Sequence, residues 1–361
     1  MLSSAESAQA PALRVGLASF GMVSRVFHGP LISATPGLQL TAIASSSAQK
    51  VQQAYPRVHH HRHAQALIED PQIDVVVVTT PNDTHVPLAL AAIEHGKHVV
   101  VEKPISLDAQ EAADLVAAAQ GADVVVAAFH NRRWDGDLLT LAEVLRSGQI
   151  GRAVTLHSHF DRYQPQVRNR WREVPGPGAG LLADLGPHLV DQALLLFGPP
   201  EWVWGDVAQV REGAAVDDYA HVVLGYPGGL RVILHMSALT AAAPPRFTLH
   251  GTQGSVLISG LDPQEDQLGQ GLLPGRPGYG LGAAEGQLVS ATGTSQSIPR
   301  RAGEYQRFYE RLRDAIHGTG PNPVPIEEAA NVMQVLDIAR AAPTPQALRL
   351  PYPQACPPRA C

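Results

Sequence analysis

The chain has 361 residues, 45% hydrophobic and 17% charged, a formal net charge of −6 and only two cysteines. That length exceeds one ordinary core and leads to two domains, and the negative balance argues against a general nucleic-acid binder, which needs a basic footprint. Cys356 and Cys361 both fall at the extreme end, so no disulfide framework can staple the fold; with no leader-like segment and no long apolar run, a cytoplasmic protein with no membrane partner is expected.

Residues 1–11, MLSSAESAQAP, are small and polar and read as a frayed terminus. From 13 to 128, short apolar runs alternate with helical patterns. The runs are LRVGLA (13–18), LQLTAIA (38–44), IDVVVVTT (73–80), KHVVVE (97–102) and ADVVVAA (122–128). They are Val-rich and scarcely interrupted, as strands buried on both faces are. DTHVPLALAAIEHG, between two of them, ends on Gly96 at a natural C-cap, and SLDAQEAADLVAAAQG offers Ser106 or Asp108 as an N-cap. Buried strands alternating with helices predict a doubly wound parallel sheet.

The first strand-to-helix turn is where such a sheet binds a dinucleotide. The Gly-x-Gly-x-x-Gly positions are held here by Ser19, Gly21 and Ser24, with Phe20 between the first two. Only the middle glycine is present, the one that lets backbone approach a pyrophosphate, while the serines offer hydroxyls to phosphate. The second run ends in Ser45, Ser46 and Ser47, followed by Lys50. No carboxylate stands there to bind the ribose 2′-hydroxyl of NAD or repel a 2′-phosphate, so NADP is the expected cofactor and NAD the alternative. HHHRH (59–63) reads as a solvated segment, because neighbouring residues point to different sides and no Cys or carboxylate cluster accompanies them; no metal is expected. His130, Asn131, Arg132 and Arg133 follow the last run of this half, where they either line a substrate site or tie the domains together.

After residue 133 the pattern changes. A helix, GDLLTLAEVLRSG, precedes strand-like runs AVTLHSHFDRY, YAHVVLGY, LRVILHMSA, RFTLHGT and GSVLISG, with YPGG (226–229) a hairpin turn. A mostly antiparallel sheet with helices on one face is predicted. Tyr163, Arg170, Trp171 and Arg172 either close over substrate or cofactor or form a surface loop. LLADLGPHLVDQALLLFG (181–198) carries Asp184, His188 and Asp191 at spacings of four and three, one face of a helix. As residue types, they fit an acid/base pair, a structural network or a metal site. Pro187 favours a first turn, which starts the helix near Gly186 and leaves Asp184 at its entrance. Residues 261–303 read as a long loop or insertion, helices are expected near 304–317 and 326–342, and PYPQACPPRAC is a Pro-rich tail.

TTPNDTHVPLALAAIEHGKHVVVEKPIS (79–106), followed by GLLADLGPHLVDQ (180–192), resembles the glucose–fructose oxidoreductase, inositol dehydrogenase and MocA family. FHNRRWDGDLLTL, SHFDRYQPQVRNRWRE and GLDPQEDQL are similar to its branch of NADP-dependent scyllo-inositol dehydrogenases. The resemblance implies a Rossmann domain over 12–132, a substrate-binding and oligomerisation domain over 133–350 with a large open sheet, and a homodimer or homotetramer. By position, Lys103, Asp184 and His188 match the family's catalytic trio, and the Lys103–Pro104 bond is expected to be cis. Asn82 and Glu102 match cofactor-proximal positions, with Thr80, Pro81 and His85 beside them; Asn131, Arg132, Tyr163, Trp171 and Arg172 are the expected substrate residues. The implied reaction passes hydride between nicotinamide and a cyclic polyol or sugar. His188 is the expected proton acceptor, Asp184 holds its imidazole and favours the protonated form, and Lys103 donates to the reacting oxygen. Asp191 is assigned to structure. A non-catalytic dinucleotide-binding regulator and a redox-assisted glycoside hydrolase with tightly held NAD are the alternatives; loss of Lys103 or His188 would have signalled the first, and both are present.

Overall fold

The computed structural model describes residues 11–341 and the short strand Gln346–Ala347. The first ten residues and the Pro-rich tail with Cys356 and Cys361 lie outside the described residues. Six parallel strands form the first sheet: β1 (Leu13–Leu17), β2 (Leu38–Ala44), β3 (His59–His61), β4 (Val75–Val78), β5 (His98–Val101) and β6 (Val126–Ala128), in the order β3-β2-β1-β4-β5-β6. The order reverses direction between β1 and β4, and the crevice at such a switch point is where these sheets take ligands. The four valines of β4 are completely buried, which accounts for their unbroken apolar run. Asp108 caps its helix by accepting from the Glu111 amide at 2.9 Å.

The second sheet has nine strands: β7 (Ala153–Asp161), β8 (Trp202–Ala208), β9 (Tyr219–Gly225), β10 (Arg231–Ser237), β11 (Phe247–Gly251), β12 (Gly254–Ile258), β13 (Gly286–Ser290), β14 (Ser295–Ile298) and β15 (Gln346–Ala347). Its order is β14-β13-β12-β11-β7-β10-β9-β8-β15, and only the central β7–β10 pair is parallel. Along β7, β9 and β10 residues alternate between buried and half-buried. One face, with Leu156, Phe160, Val222, Leu234 and Met236, packs under the helix Leu181–Phe197. The opposite face carries His157, His159, His221 and His235.

Several expectations change. HHH (59–61) is not only a solvated segment: it forms β3 and pairs with β2, and His61 meets Asp70 at 3.0 Å. Residues 261–303 are not one loop, since they contain the helix Gln264–Gly269 and the β13–β14 hairpin. β8 lies in a stretch that was not singled out as a strand. The helix carrying Asp184 begins at Leu181, not near Gly186, and contains Pro187 in its interior. Pro187 removes one internal hydrogen bond there, and the packing of an almost wholly buried helix outweighs that loss. Gly186 belongs to the same packing: a Cβ on it would stand 2.7 Å from Leu336 Cδ2 on the neighbouring helix Ile326–Ala341. That neighbour, together with Gln306–Ile316, returns to the first domain, where the Ala128 amide donates to Val324 O at 3.0 Å and the Ala109 amide to Asp337 at 2.8 Å.

Candidate active site

Two cavities meet at Lys103. The first, about 720 Å³, runs along the carboxyl ends of β1, β4 and β5, between Ser19, Gly21, Thr79, Asn82 and Glu102 on one side and Trp171, Arg172 and residues 174–177 on the other. A Cβ built on Gly21 would have only Ser19 Oγ within 4 Å, at 3.9 Å. The backbone is therefore bare toward the cleft, and a helix begins immediately beyond, at Met22. Bare backbone ahead of a helix start suits a pyrophosphate. The second cavity, about 230 Å³, lies between β5 and the helix Leu181–Phe197. Asn131, Arg132, Arg162, Arg170, Arg172, Asp184, His188 and Glu265 give it a mostly polar wall.

Lys103 follows β5 and precedes Pro104 across a cis peptide bond. Its Nζ donates to the Asp184 carbonyl at 2.8 Å and to Asp184 Oδ1 at 3.3 Å. An ammonium has three donors, so one is left for a ligand. Arg172 Nε lies 3.1 Å from the same carboxylate oxygen. Burial alone would raise the Asp184 carboxyl, but Lys103, Arg172 and Arg162 outweigh it and hold it below its ordinary value, ionised at neutral pH. From beneath, Glu102 accepts from the Lys103 amide at 3.0 Å and meets His28 Nε2 at 2.8 Å, and His28 Nδ1 meets the Tyr309 hydroxyl at 2.5 Å. Burial pushes the Glu102 carboxyl up, and the His28 hydrogen bond and nearby positive charges bring it below its ordinary value.

His188 stands one helical turn beyond Asp184 and is 6% exposed. Its Nδ1 is buried without a hydrogen-bond partner. Burial, followed by the charges of Lys103, Arg132, His130 and Arg246, holds its pKa well below the ordinary histidine value. The imidazole is neutral at pH 7 and able to accept a proton. Two expectations are thereby corrected. Asp184 does not hold the His188 ring, because a charge-assisted hydrogen bond to the Lys103 ammonium and an ion pair with the Arg172 guanidinium occupy the carboxylate. Nor is imidazolium favoured, because the histidine sits among cations in a desolvated wall.

Residues 13–130 match the oxidoreductase family with an NAD-binding Rossmann fold, and residues 138–257 match the GFO/IDH/MocA C-terminal domain. The chain belongs to the GFO/IDH/MocA oxidoreductase family. Within that family it is 45% identical to the uncharacterised oxidoreductase YdgJ of Escherichia coli (strain K12), over 90% of this chain and 95% of the relative. It is 36% identical to scyllo-inositol 2-dehydrogenase (NADP(+)) IolW of Bacillus subtilis (strain 168), over 91% and 92%. A crystal structure from Klebsiella pneumoniae superposes with a TM-score of 0.89 at 43% identity, covering 94% of this chain and 97% of that one. No described helix of this GFO/IDH/MocA protein is long and apolar enough to cross a membrane.

The remaining expected site residues fall at different distances from the chemistry. Thr80, Pro81, Asn82 and Glu102 border the dinucleotide cleft. Ser19 borders it too, but its hydroxyl is tied to Thr79 O at 2.7 Å, and Ser24 is fully buried, donating to Ser19 O at 2.8 Å. These hydroxyls brace the turn instead of offering themselves to phosphate. His85 also borders the cleft, but its ring nitrogens lie 2.7 Å from Pro104 O and 2.9 Å from Thr80 O, so it fastens the Lys103 loop to the loop after β4. Phe20 and Lys50 line a third cavity beyond Gly21, which Arg25 and Gln53 complete. Ser45 and Ser47 are engaged locally at the start of the next helix, where Ser47 accepts from the Lys50 amide at 3.4 Å, and Ser46 is exposed.

Of the expected substrate residues, Asn131, Arg132 and Arg172 line the polar cavity. Tyr163 does not: it is 60% exposed, beyond the end of β7, where its backbone bridges to Leu239. Trp171 borders the dinucleotide cleft instead, with the Arg172 guanidinium 4.5 Å over its ring. Arg170, read either as closing over the site or as part of a surface loop, lines the polar cavity, whereas Arg162 and Glu265 were missed as cavity residues. Arg162 directly follows a strand, a position at which sheet residues commonly turn into a site, and Glu265 sits in the stretch read as a loop.

Arg133 and Asp191 answer the open question at 130–133. Arg133 binds Asp191 through Nε at 2.9 Å and through a terminal nitrogen at 2.6 Å, and its other terminal nitrogen lies 2.8 Å from Glu328. All three side chains are buried, and they join the start of the second domain to both of its long helices. Arg133→Met leaves two buried carboxylates uncompensated and is expected to cost about 3–5 kcal/mol of stability. A lower midpoint of urea unfolding checks this; an unchanged midpoint would show that the trio holds nothing together.

Proposed function

We propose that this chain is an NADP-dependent dehydrogenase of cyclic polyols or sugars, with scyllo-inositol the first substrate to test. The observation that carries the reading is the convergence of a free donor on Lys103 and a neutral imidazole on His188 in one polar cavity that opens into a dinucleotide cleft. The relative from Bacillus subtilis supports the substrate class and the cofactor. Gly21, Thr80, Pro81 and Asn82 would hold the dinucleotide, and a bound nicotinamide supplies the hydride acceptor. His188 takes the hydroxyl proton. Lys103 donates to the same oxygen and stabilises its developing negative charge. Asp184, ionised between Lys103 and Arg172, fixes the ammonium. Asn131, Arg132 and Arg172 suit a ring bearing several hydroxyls. A spectrophotometric screen of inositols and aldoses with each cofactor tests the reading; turnover with none of them would refute it.

NADP is favoured over NAD by charge. Arg25 and Lys50 border the third cavity, and no carboxylate lines it. A 2′-phosphate would find two cations there in place of the acidic residue that NAD uses. Arg25→Ala and Lys50→Ala should each weaken NADP about tenfold at low salt while leaving NAD within about twofold. Titration of both cofactors into the three proteins checks this, and tighter NAD than NADP binding by the wild type would reverse the assignment.

A further inference from the structure

A cross-strand row of polar side chains runs over the face of the second sheet that is turned away from the helix Leu181–Phe197. Asp206 on β8 is in register with His221 on β9, His221 with His235 on β10, and His235 with His159 on β7. Asp161 stands two residues beyond His159 and so on the same face. His159, Asp161 and His235 each present a donor atom, and the three donors lie within 4.8 Å of one another. His159 Nδ1 is 3.0 Å from Asp161 Oδ2, and His235 Nε2 is 3.7 Å from Asp161 Oδ1. The Asp161 side chain is only 3% exposed, yet its Oδ1 has no hydrogen-bond partner. A buried carboxylate oxygen facing an imidazole without a hydrogen bond is costly unless a cation completes it.

We infer that His159, Asp161 and His235 form a binding site for a divalent transition metal, Zn²⁺ by its donor set. Two imidazoles and a carboxylate are borderline nitrogen and oxygen ligands, which suit Zn²⁺ better than Ca²⁺ or Mg²⁺. Metal–ligand bonds of about 2.0–2.2 Å put tetrahedral donors about 3.5 Å apart. The donors, within 4.8 Å of one another, draw together to close on an ion, and water completes the fourth position. His221 supplies the outer support: its Nδ1 lies 3.2 Å from His235 Nδ1. When His235 Nδ1–H donates to His221, the lone pair of His235 falls on Nε2, the nitrogen that faces Asp161. The ion pins β7 to β10, the parallel pair at the centre of the sheet, immediately before Arg162 enters the substrate cavity. It takes no part in the hydride chemistry, so the site stands or falls independently of the substrate.

The test uses the full chain, freed of metal with a chelator. Titrated with Co²⁺, the wild type should show the visible absorption of a four-coordinate ion, saturating near one per chain, and Zn²⁺ should displace it. Asp161→Asn and His235→Gln should each weaken uptake about tenfold or more, and the double variant should lose the absorption. Zn²⁺ should raise the melting temperature of the wild type but not of His235→Gln, whose melting without metal also reports whether it is folded. His59→Gln/His61→Gln, which alters the other histidine cluster, should bind as the wild type does. Absence of uptake at about 100 μM metal, undiminished uptake by Asp161→Asn, or uptake that follows the His59/His61 variant would each overturn the assignment.

Discussion

Lys103→Met is expected to give a folded protein that binds the dinucleotide normally and turns over about two to four powers of ten more slowly. Folding survives because the residues that hold the Lys103 loop are other groups: Glu102 grips the backbone amide, and His85 spans Pro104 O and Thr80 O. Asp184 keeps Arg172 as a partner, so the carboxylate is not stranded. What disappears is the third ammonium donor, the one Asp184 leaves free for a ligand. A donor that strengthens as charge develops acts on the barrier more than on ground-state binding. The loss should therefore fall on kcat, with cofactor Kd unchanged. Lys103→Arg should not rescue, because a planar guanidinium cannot occupy the same point and keep both contacts to Asp184. Near-normal kcat in Lys103→Met would remove the lysine from the chemistry.

The first domain was legible because its strands are buried on both faces, so each appears in the sequence as an unbroken apolar run; β4, VVVV, is the extreme case. The missed pieces lack that signal. β3 is three histidines at a sheet edge, where pairing with β2 decides the conformation and composition does not. β14, SQSI, is exposed along most of its length and is strand only because β13 pairs with it. The helix through Pro187 shows tertiary packing overriding a local breaker. At the site, spacing put Asp184 and His188 on one helical face, although Pro187 misplaced the helix start beyond Asp184, and spacing could not say where the carboxylate points. That depends on Lys103, 81 residues earlier, and on Arg172 in a loop with no periodicity. The histidine row on the second sheet was invisible for the same reason, since its members come from three strands brought into register only by folding.

His188 should act as the base in alcohol oxidation, already neutral at pH 7, so that kcat/KM is on its plateau there and falls only below the ordinary histidine value of about 6.5. The cause is burial first, then the fields of Lys103, Arg132, His130 and Arg246, all of which disfavour imidazolium. Asp184→Asn removes the negative charge that offsets Lys103 and Arg172. The cationic field at His188 grows, so the acid limb moves to still lower pH, while the maximum rate falls because the ammonium is less firmly placed. His188→Asn should abolish that limb and lower the plateau by about two to four powers of ten. Stability provides an independent reading of the same group. Between about pH 6.5 and its depressed folded value, the unfolded chain binds a proton at His188 that the folded chain refuses, so unfolding free energy declines as pH drops through that window and is unaffected by this group above it. His98 and His130, also held below the ordinary value chiefly by burial, contribute in the same sense. His188→Asn should therefore flatten part of the acid decline in urea-unfolding free energy, not all of it. A wild-type oxidation rate that still climbs above pH 8, together with the same climb in His188→Asn, would move the base elsewhere in the cavity, and Lys103 would be the first group to examine.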